Sequence, residues 1–245
     1  MNPIFFTCVV VFICAASVAA CFVYNQAAKS DQTIWVAVSS VSNGTTYSEQ
    51  AQEINYDGFK VSGADVAHFL VAKSQKGAQT PYAKDNRSVY VYGRRIPNAD
   101  PTTFSIIFDS DGQFTNFSKD QFHVFSIGDI EFTGSAAEMP NVSPQSFVYL
   151  NEFYIKDNEH VFDQAGNIID GAQAATTRVM GLNSFYAEDY AHVYDVLDGF
   201  PGYVVPQARA ATFVAFAVPQ LCGGGCYCDA KDAKHKFLNG RVVDC

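Results

Sequence analysis

Seven cysteines and five histidines are the residues of this chain best suited to metal or redox chemistry. Four of the cysteines, Cys222, Cys226, Cys228 and Cys245, crowd the C-terminal tail, and His235 lies among them. Thiolates and an imidazole together could hold zinc, but Cys222-x-x-x-Cys226-x-Cys228 matches no common zinc module. In an oxidising compartment four such cysteines instead staple a short tail with two disulfides, for which three connectivities exist. Cys226 and Cys228 are two residues apart, so each is expected to pair with a different distant partner, Cys222 or Cys245. Gly223-Gly224-Gly225 lacks the Lys-Ser/Thr of a phosphate cradle and supplies flexibility for that geometry.

The remaining candidates recur at intervals. His123, His160, His192 and His235 each stand three residues after an aspartate, Asp120, Asp157, Asp189 or Asp232, whereas Asp85 is followed at that distance by Ser88. A ladder of imidazoles would suit a transition metal, and a ladder of carboxylates would suit calcium. Asp85-Asn86-Arg87-Ser88 offers few oxygens and includes a cation. Turn chemistry explains the recurrence better, because an Asp side chain bonds backbone amides within a tight turn. Asp109-Ser110-Asp111-Gly112 likewise reads as a hairpin turn. Gly-x-Ser-x-Gly, Ser-x-x-Lys and His-Glu-x-x-His do not occur in the sequence, so no catalytic residue, metal or cofactor is assigned. Tyr90, Tyr92, Tyr149 and Tyr154 alternate with apolar residues and are expected in the core rather than on a sugar-stacking surface.

The elements that carry these residues follow from composition. Of 245 residues, 48% are hydrophobic and 17% charged, which excludes a disordered chain. Sixteen basic against 25 acidic residues give a net charge of −9 and no electrostatic footprint for nucleic acid. With 21 Phe and 13 Tyr, a β-rich core is favoured over a helical bundle.

Residues 3–24 carry no charge and end in Ala15-Ala16-Ser17-Val18-Ala19-Ala20-Cys21. Such a stretch suits a signal peptide or a membrane-anchoring helix, although Met1-Asn2 lacks the usual cation. Val18-Ala19-Ala20-Cys21 resembles the lipobox of bacterial lipoproteins, which implies cleavage before Cys21 and diacylglycerol on its sulfur. A hydrophobic N-terminal helix before a cysteine-closed β domain also resembles pilin-like subunits, with Phe5 where those carry Glu. Lipidation at Cys21, a retained helix and simple secretory cleavage all place the rest of the chain outside the cytoplasm, and the expected location is membrane-attached at the cell envelope or surface.

Between the two ends a unit repeats. Tyr82-Ala83-Lys84-Asp85-Asn86-Arg87-Ser88-Val89-Tyr90 recurs at Phe117–Phe125, Tyr154–Phe162 and Tyr186–Tyr194, and in degenerate form at Lys231–Phe237. Each copy predicts two strands joined at the aspartate, then a second turn at Gly93, Gly128, Gly166 or Gly240. A second element, Ala99-Asp100-Pro101-Thr102-Thr103-Phe104, recurs around Ser143-Pro144 and Arg209, with Phe104, Phe147 and Phe213 closing one helical turn onto the core. The stretch ending at Phe69 reads as an earlier copy that has lost its first half, and Ala172–Thr177 has Thr in place of Phe. A unit this small cannot bury its apolar face alone, so copies must stack.

These segments resemble the DKNYY-repeat proteins, whose units run Asp-Lys-Asn-x-Val-Tyr-Tyr, then Gly, then Ala-Asp-Pro-x-Thr-Phe. Asn86 and Asn158 stand where that family has Lys. The resemblance implies a bacterial, exported repeat protein and supplies no catalytic residues.

The expected architecture is mainly β: tandem hairpin-plus-helical-turn repeats stacked on each other behind an N-terminal hydrophobic helix. Residues 1–21 form the signal or anchor, 22–80 an N-terminal β region with a partial repeat, 81–216 the repeat region and 217–245 the disulfide-rich tail. The expected role is a non-enzymatic structural or binding module with a protein partner or self-assembly. The alternatives are a filament subunit and an extracytoplasmic hydrolase.

Overall fold

A computed structural model describes residues 33–38, 47–74, 76–77, 79–127, 136–181, 184–196 and 202–244. The expected N-terminal helix, the lipobox with Cys21, and Cys245 lie outside these residues. The described chain is built of small antiparallel sheets with almost no helix.

Six units follow one another among the described residues. The first contains strands β2 (Tyr47–Gln50), β3 (Glu53–Tyr56) and β4 (Phe59–Lys60). The second contains β5 (Leu70–Ser74), β6 (Gln79–Lys84), β7 (Val89–Val91) and β8 (Arg94–Arg95), with β1 (Thr33–Ala37) paired onto the outer edge of β5. The third is β9 (Ser105–Phe108), β10 (Phe114–Lys119), β11 (Val124–Ser126) and β12 (Ala137–Glu138). The fourth is β13 (Val148–Tyr149), β14 (Tyr154–Lys156) and β15 (Val161–Asp163). The fifth is β16 (Arg178–Val179), β17 (Tyr186–Glu188), β18 (Val193–Asp195) and β19 (Tyr203–Val204). The sixth is β20 (Val214–Leu221), β21 (Tyr227–Lys231), β22 (Lys236–Leu238) and β23 (Arg241–Val242).

Period-two alternation explains why the units stack. Tyr47, Tyr82, Phe117, Tyr154 and Tyr186 each enter the apolar cluster shared with the following unit. Their chain neighbours Ala83, Ile155 and Ala187 enter the cluster shared with the preceding one. The strand after the aspartate does the reverse. Val89, Val124, Val161 and Val193 face forward, whereas Tyr90, Phe125, Phe162, Tyr194 and Phe237 face back. Both faces of each middle sheet are therefore buried, and every cluster belongs to two units. Burying one such aromatic contributes roughly 1.5–3 kcal/mol, which a single unit could not realise alone. In the sixth unit the forward slots hold Asp229 and Lys236 instead of an aromatic and a valine, as a terminal repeat requires.

The copy ending at Phe69 has not lost its first half. β2 and β3 form its hairpin, with Tyr47 paired to Tyr56 as Tyr82 is paired to Val91. A two-residue connection, Ala51-Gln52, with φ of 49° and 63°, replaces the aspartate turn. Two positive φ values make this a primed turn, whose twist suits a hairpin although neither residue is Gly or Asn. The next connection, Asp57-Gly58, has the same form, as do Tyr92-Gly93 and Asn239-Gly240. Tyr92 is thus a turn residue rather than a strand residue. Gly93 is required twice over, by its φ of 73° and because a Cβ there would lie 2.7 Å from Tyr56 Cβ.

Candidate functional site: the aspartate turns and the sixth unit

The recurring aspartates sit where β6 meets β7, β10 meets β11, β14 meets β15, β17 meets β18 and β21 meets β22. In each the backbone N–H of the aspartate donates to the carbonyl three residues on, closing a four-residue turn. One carboxylate oxygen then accepts two further amides of that turn. Asp85 Oδ1 takes the N–H of Arg87 and Ser88 at 2.7 and 2.8 Å. Asp120 Oδ1 takes those of Phe122 and His123, both at 2.7 Å. Asp157, Asp189 and Asp232 repeat the arrangement with Glu159 and His160, Ala191 and His192, and Lys234 and His235.

The other oxygen reaches a different unit's connection. Asp85 Oδ2 accepts the N–H of Asp65 at 2.9 Å, and Asp120 Oδ2 that of Asp100 at 2.8 Å. Asp157, Asp189 and Asp232 accept from Ser143, Gln173 and Arg209 at 3.1, 3.2 and 3.0 Å. These five donors open the short helical turns that precede each unit, so one carboxylate ties its own hairpin to the turn arriving from the unit before. The carboxyl groups of Asp85, Asp157, Asp189 and Asp232 are raised by burial, but their amide bonds outweigh it and hold them below the usual carboxylate range.

Lysines hold the same turns from the other side. Lys84, Lys119 and Lys156, each just before the aspartate, send Nζ to the carbonyls of Pro101, Pro144 and Ala174 at 2.7–2.8 Å. Each turn between the second and fifth units is therefore gripped by a lysine from behind and an aspartate from ahead. In the fifth unit Glu188 takes the lysine's place and pairs with Arg178 Nε at 2.9 Å.

The helical turns carry the expected phenylalanines. Phe69, Phe104 and Phe213 are buried, Phe147 is half-buried, and Thr177 fills the fifth slot. A three-residue 3-10 helix forms at Val66–His68 and at Ala210–Thr212; the proline-led copies are hydrogen-bonded turns. Thr103, Ser146 and Thr212 accept the amide of the residue after each aspartate, Gln121, Asn158 and Ala233. The histidines lie against the aromatic two residues later, at centroid distances of 5.8–6.1 Å. Among the described residues no three His, Cys, Asp or Glu side chains converge as a metal would need.

Cys222 and Cys228 form a disulfide, with Cα atoms 5.9 Å apart, and Cys226 is also disulfide-bonded. The thiolates that a zinc site would need are thereby oxidised. The bridge closes the loop between β20 and β21, where Gly223, Gly224 and Gly225 all have positive φ.

The model of the DKNYY family matches residues 23–128 and 47–197. The chain belongs to the DKNYY family. No match is found among curated proteins or among solved structures. In DKNYY terms, Asn158 stands where the resembling motif has Lys, and its backbone N–H donates to Ser146 Oγ of the preceding helical turn at 3.3 Å. In this chain each aspartate-bearing unit ties itself to the preceding turn through its second carboxylate oxygen. Sequence reasoning missed that bond because its donor lies 14 to 23 residues earlier.

Proposed function

We propose that this DKNYY protein is an exported, non-enzymatic repeat module that offers a stacked surface to another macromolecule. The observation that carries the reading is the use of its recurring ionisable groups. The aspartates and lysines that repeat are committed to amides and carbonyls of the array itself, so their recurrence serves architecture rather than catalysis. The sixth unit supports the binding role. Val214, Leu221 and Tyr227 are exposed on the face that also carries Asp229 and Lys231, an apolar patch with a charge of each sign.

Export rests on the uncharged stretch 3–24 and agrees with an oxidised cysteine pair. Among the described residues no helix is long and apolar enough to cross a membrane. The proposed attachment is through the N-terminal segment or through lipid at Cys21. Intact mass of protein from native envelopes tests this. Loss of residues 1–20 with a diacylglycerol increment is expected, and an unprocessed chain recovered from cytosol would overturn it.

A further inference from the structure

We propose that the Asp195 carboxyl is a proton-held joint between the fifth and sixth units, seating the last unit when neutral and loosening it when ionised. Asp195 ends β18 and is only 1% exposed. Its Oδ2 accepts the Tyr203 O–H at 3.3 Å, and among the described residues its Oδ1 has no hydrogen-bond partner. The equivalent residue one unit earlier shows what a satisfied aspartate needs at this slot. Asp163 accepts the N–H groups of Ala165 and Asn167 and the Asn167 side-chain amide, all at 2.9 Å.

The sixth unit closes directly over Asp195. A Cβ on Gly240 would lie 2.5 Å from both Asp195 Oδ2 and the Tyr203 hydroxyl oxygen. Gly240 N–H donates to the Tyr186 hydroxyl, which donates in turn to Asp229 Oδ1, each at 2.8 Å. Asn239 N–H donates to Asp229 Oδ2 at 2.9 Å. Among the described residues, the ionisable groups acting on Asp195 are Tyr154 of β14, Tyr186 of β17, Tyr203 of β19 and Asp229 of β21, three phenols and a carboxylate. Arg241 of β23 acts on Tyr203 rather than on Asp195. Among the described residues, no cation offsets the second negative charge that an ionised Asp195 would face.

Burial, opposed by the Tyr203 bond and the Val196 amide and reinforced by the charge of Asp229, raises the Asp195 carboxyl from 3.8 to about 7. An opened sixth unit returns it towards 3.8. Between those values the opened state has released the proton and the closed state has kept it. The opening constant therefore rises about tenfold per pH unit across that window and levels off above about pH 7. Asp232, held below its ordinary value, acts in the opposite sense and only at more acidic pH.

The test is amide hydrogen exchange of residues 236–242 in the full chain, from pH 5 to pH 8, with rates corrected for intrinsic exchange. In the wild type, protection is expected to fall about fiftyfold from pH 5 to pH 7 and to level off by about pH 8. Asp195→Asn is expected to keep its protection constant. Asp229→Asn removes the opposing charge and is expected to shrink the fall, which keeps the test decisive if Asp195→Asn does not fold. Wild-type protection independent of pH, or an undiminished fall in Asp195→Asn, would overturn the proposal. Recovery of protection at pH 8 on adding calcium chloride would also overturn it, by showing that a cation rather than a proton satisfies Asp195.

Discussion

Replacing Asp157 by Asn and by Ala separates the two halves of the aspartate's role. Oδ1 accepts the amides of Glu159 and His160 at 2.8 Å each, and Oδ2 accepts that of Ser143 at 3.1 Å. A hydrogen bond to a charged acceptor contributes roughly 1.5–3 kcal/mol. Asn keeps one oxygen for the local turn but sets its own N–H groups against the Ser143 N–H, so the link to the preceding unit is lost at a cost of about 2 kcal/mol. Ala loses all three bonds, and about 4 kcal/mol is expected after allowing for non-additivity between neighbouring bonds. Equilibrium urea unfolding followed by circular dichroism measures both. The pH dependence has a defined sign. Because the folded carboxyl titrates below 3.8, its stabilisation is complete above that value and is lost as pH falls through the folded pKa. The gap between wild type and Asp157→Asn should therefore be constant from pH 5 to pH 7 and close on further acidification. Equal costs for Asn and Ala, or costs under about 0.5 kcal/mol for both, would refute the two-sided reading.

Lys156→Met should lower stability by about 2 kcal/mol in the same assay, because the carbonyls of Ala174 and Thr177 lose their donor while the apolar stem remains. Phe104→Ala should cost about 3–5 kcal/mol and Phe147→Ala distinctly less, since only the first is fully buried. Gly93→Ala should cost about 2 kcal/mol or more in thermal unfolding, because a Cβ would meet Tyr56 in a left-handed conformation. Reducing the Cys222–Cys228 bridge should raise amide exchange in β20 and β21 and leave the second to fourth units unchanged.

Much of this was legible in the chain, and for a physical reason. The aspartate turns are local: Asp85, Asp120, Asp157, Asp189 and Asp232 bond amides two and three residues away, so the motif and its geometry occupy the same short window. Stacking followed from the size of a unit. The bond from Oδ2 was hidden because spacing between elements varies, and nothing local marks Asp65 or Arg209 as a donor. The hairpin of the first unit carries no signal in the sequence, because Ala51-Gln52 forms a primed turn without the usual Asn or Gly. Asp229 and Asp195 look like ordinary polar residues until the last unit is laid on the fifth, when one occupies a slot otherwise aromatic and the other loses its solvent.

Exchange rates of five amides, those of Asp65, Asp100, Ser143, Gln173 and Arg209, test the central claim most directly. Changing the matching aspartate to Asn, for example Asp120→Asn for Asp100, should abolish protection at that one distant amide. The local amides of Phe122 and His123 should keep theirs. Unchanged protection at Asp100, with loss only inside the turn, would contradict the account.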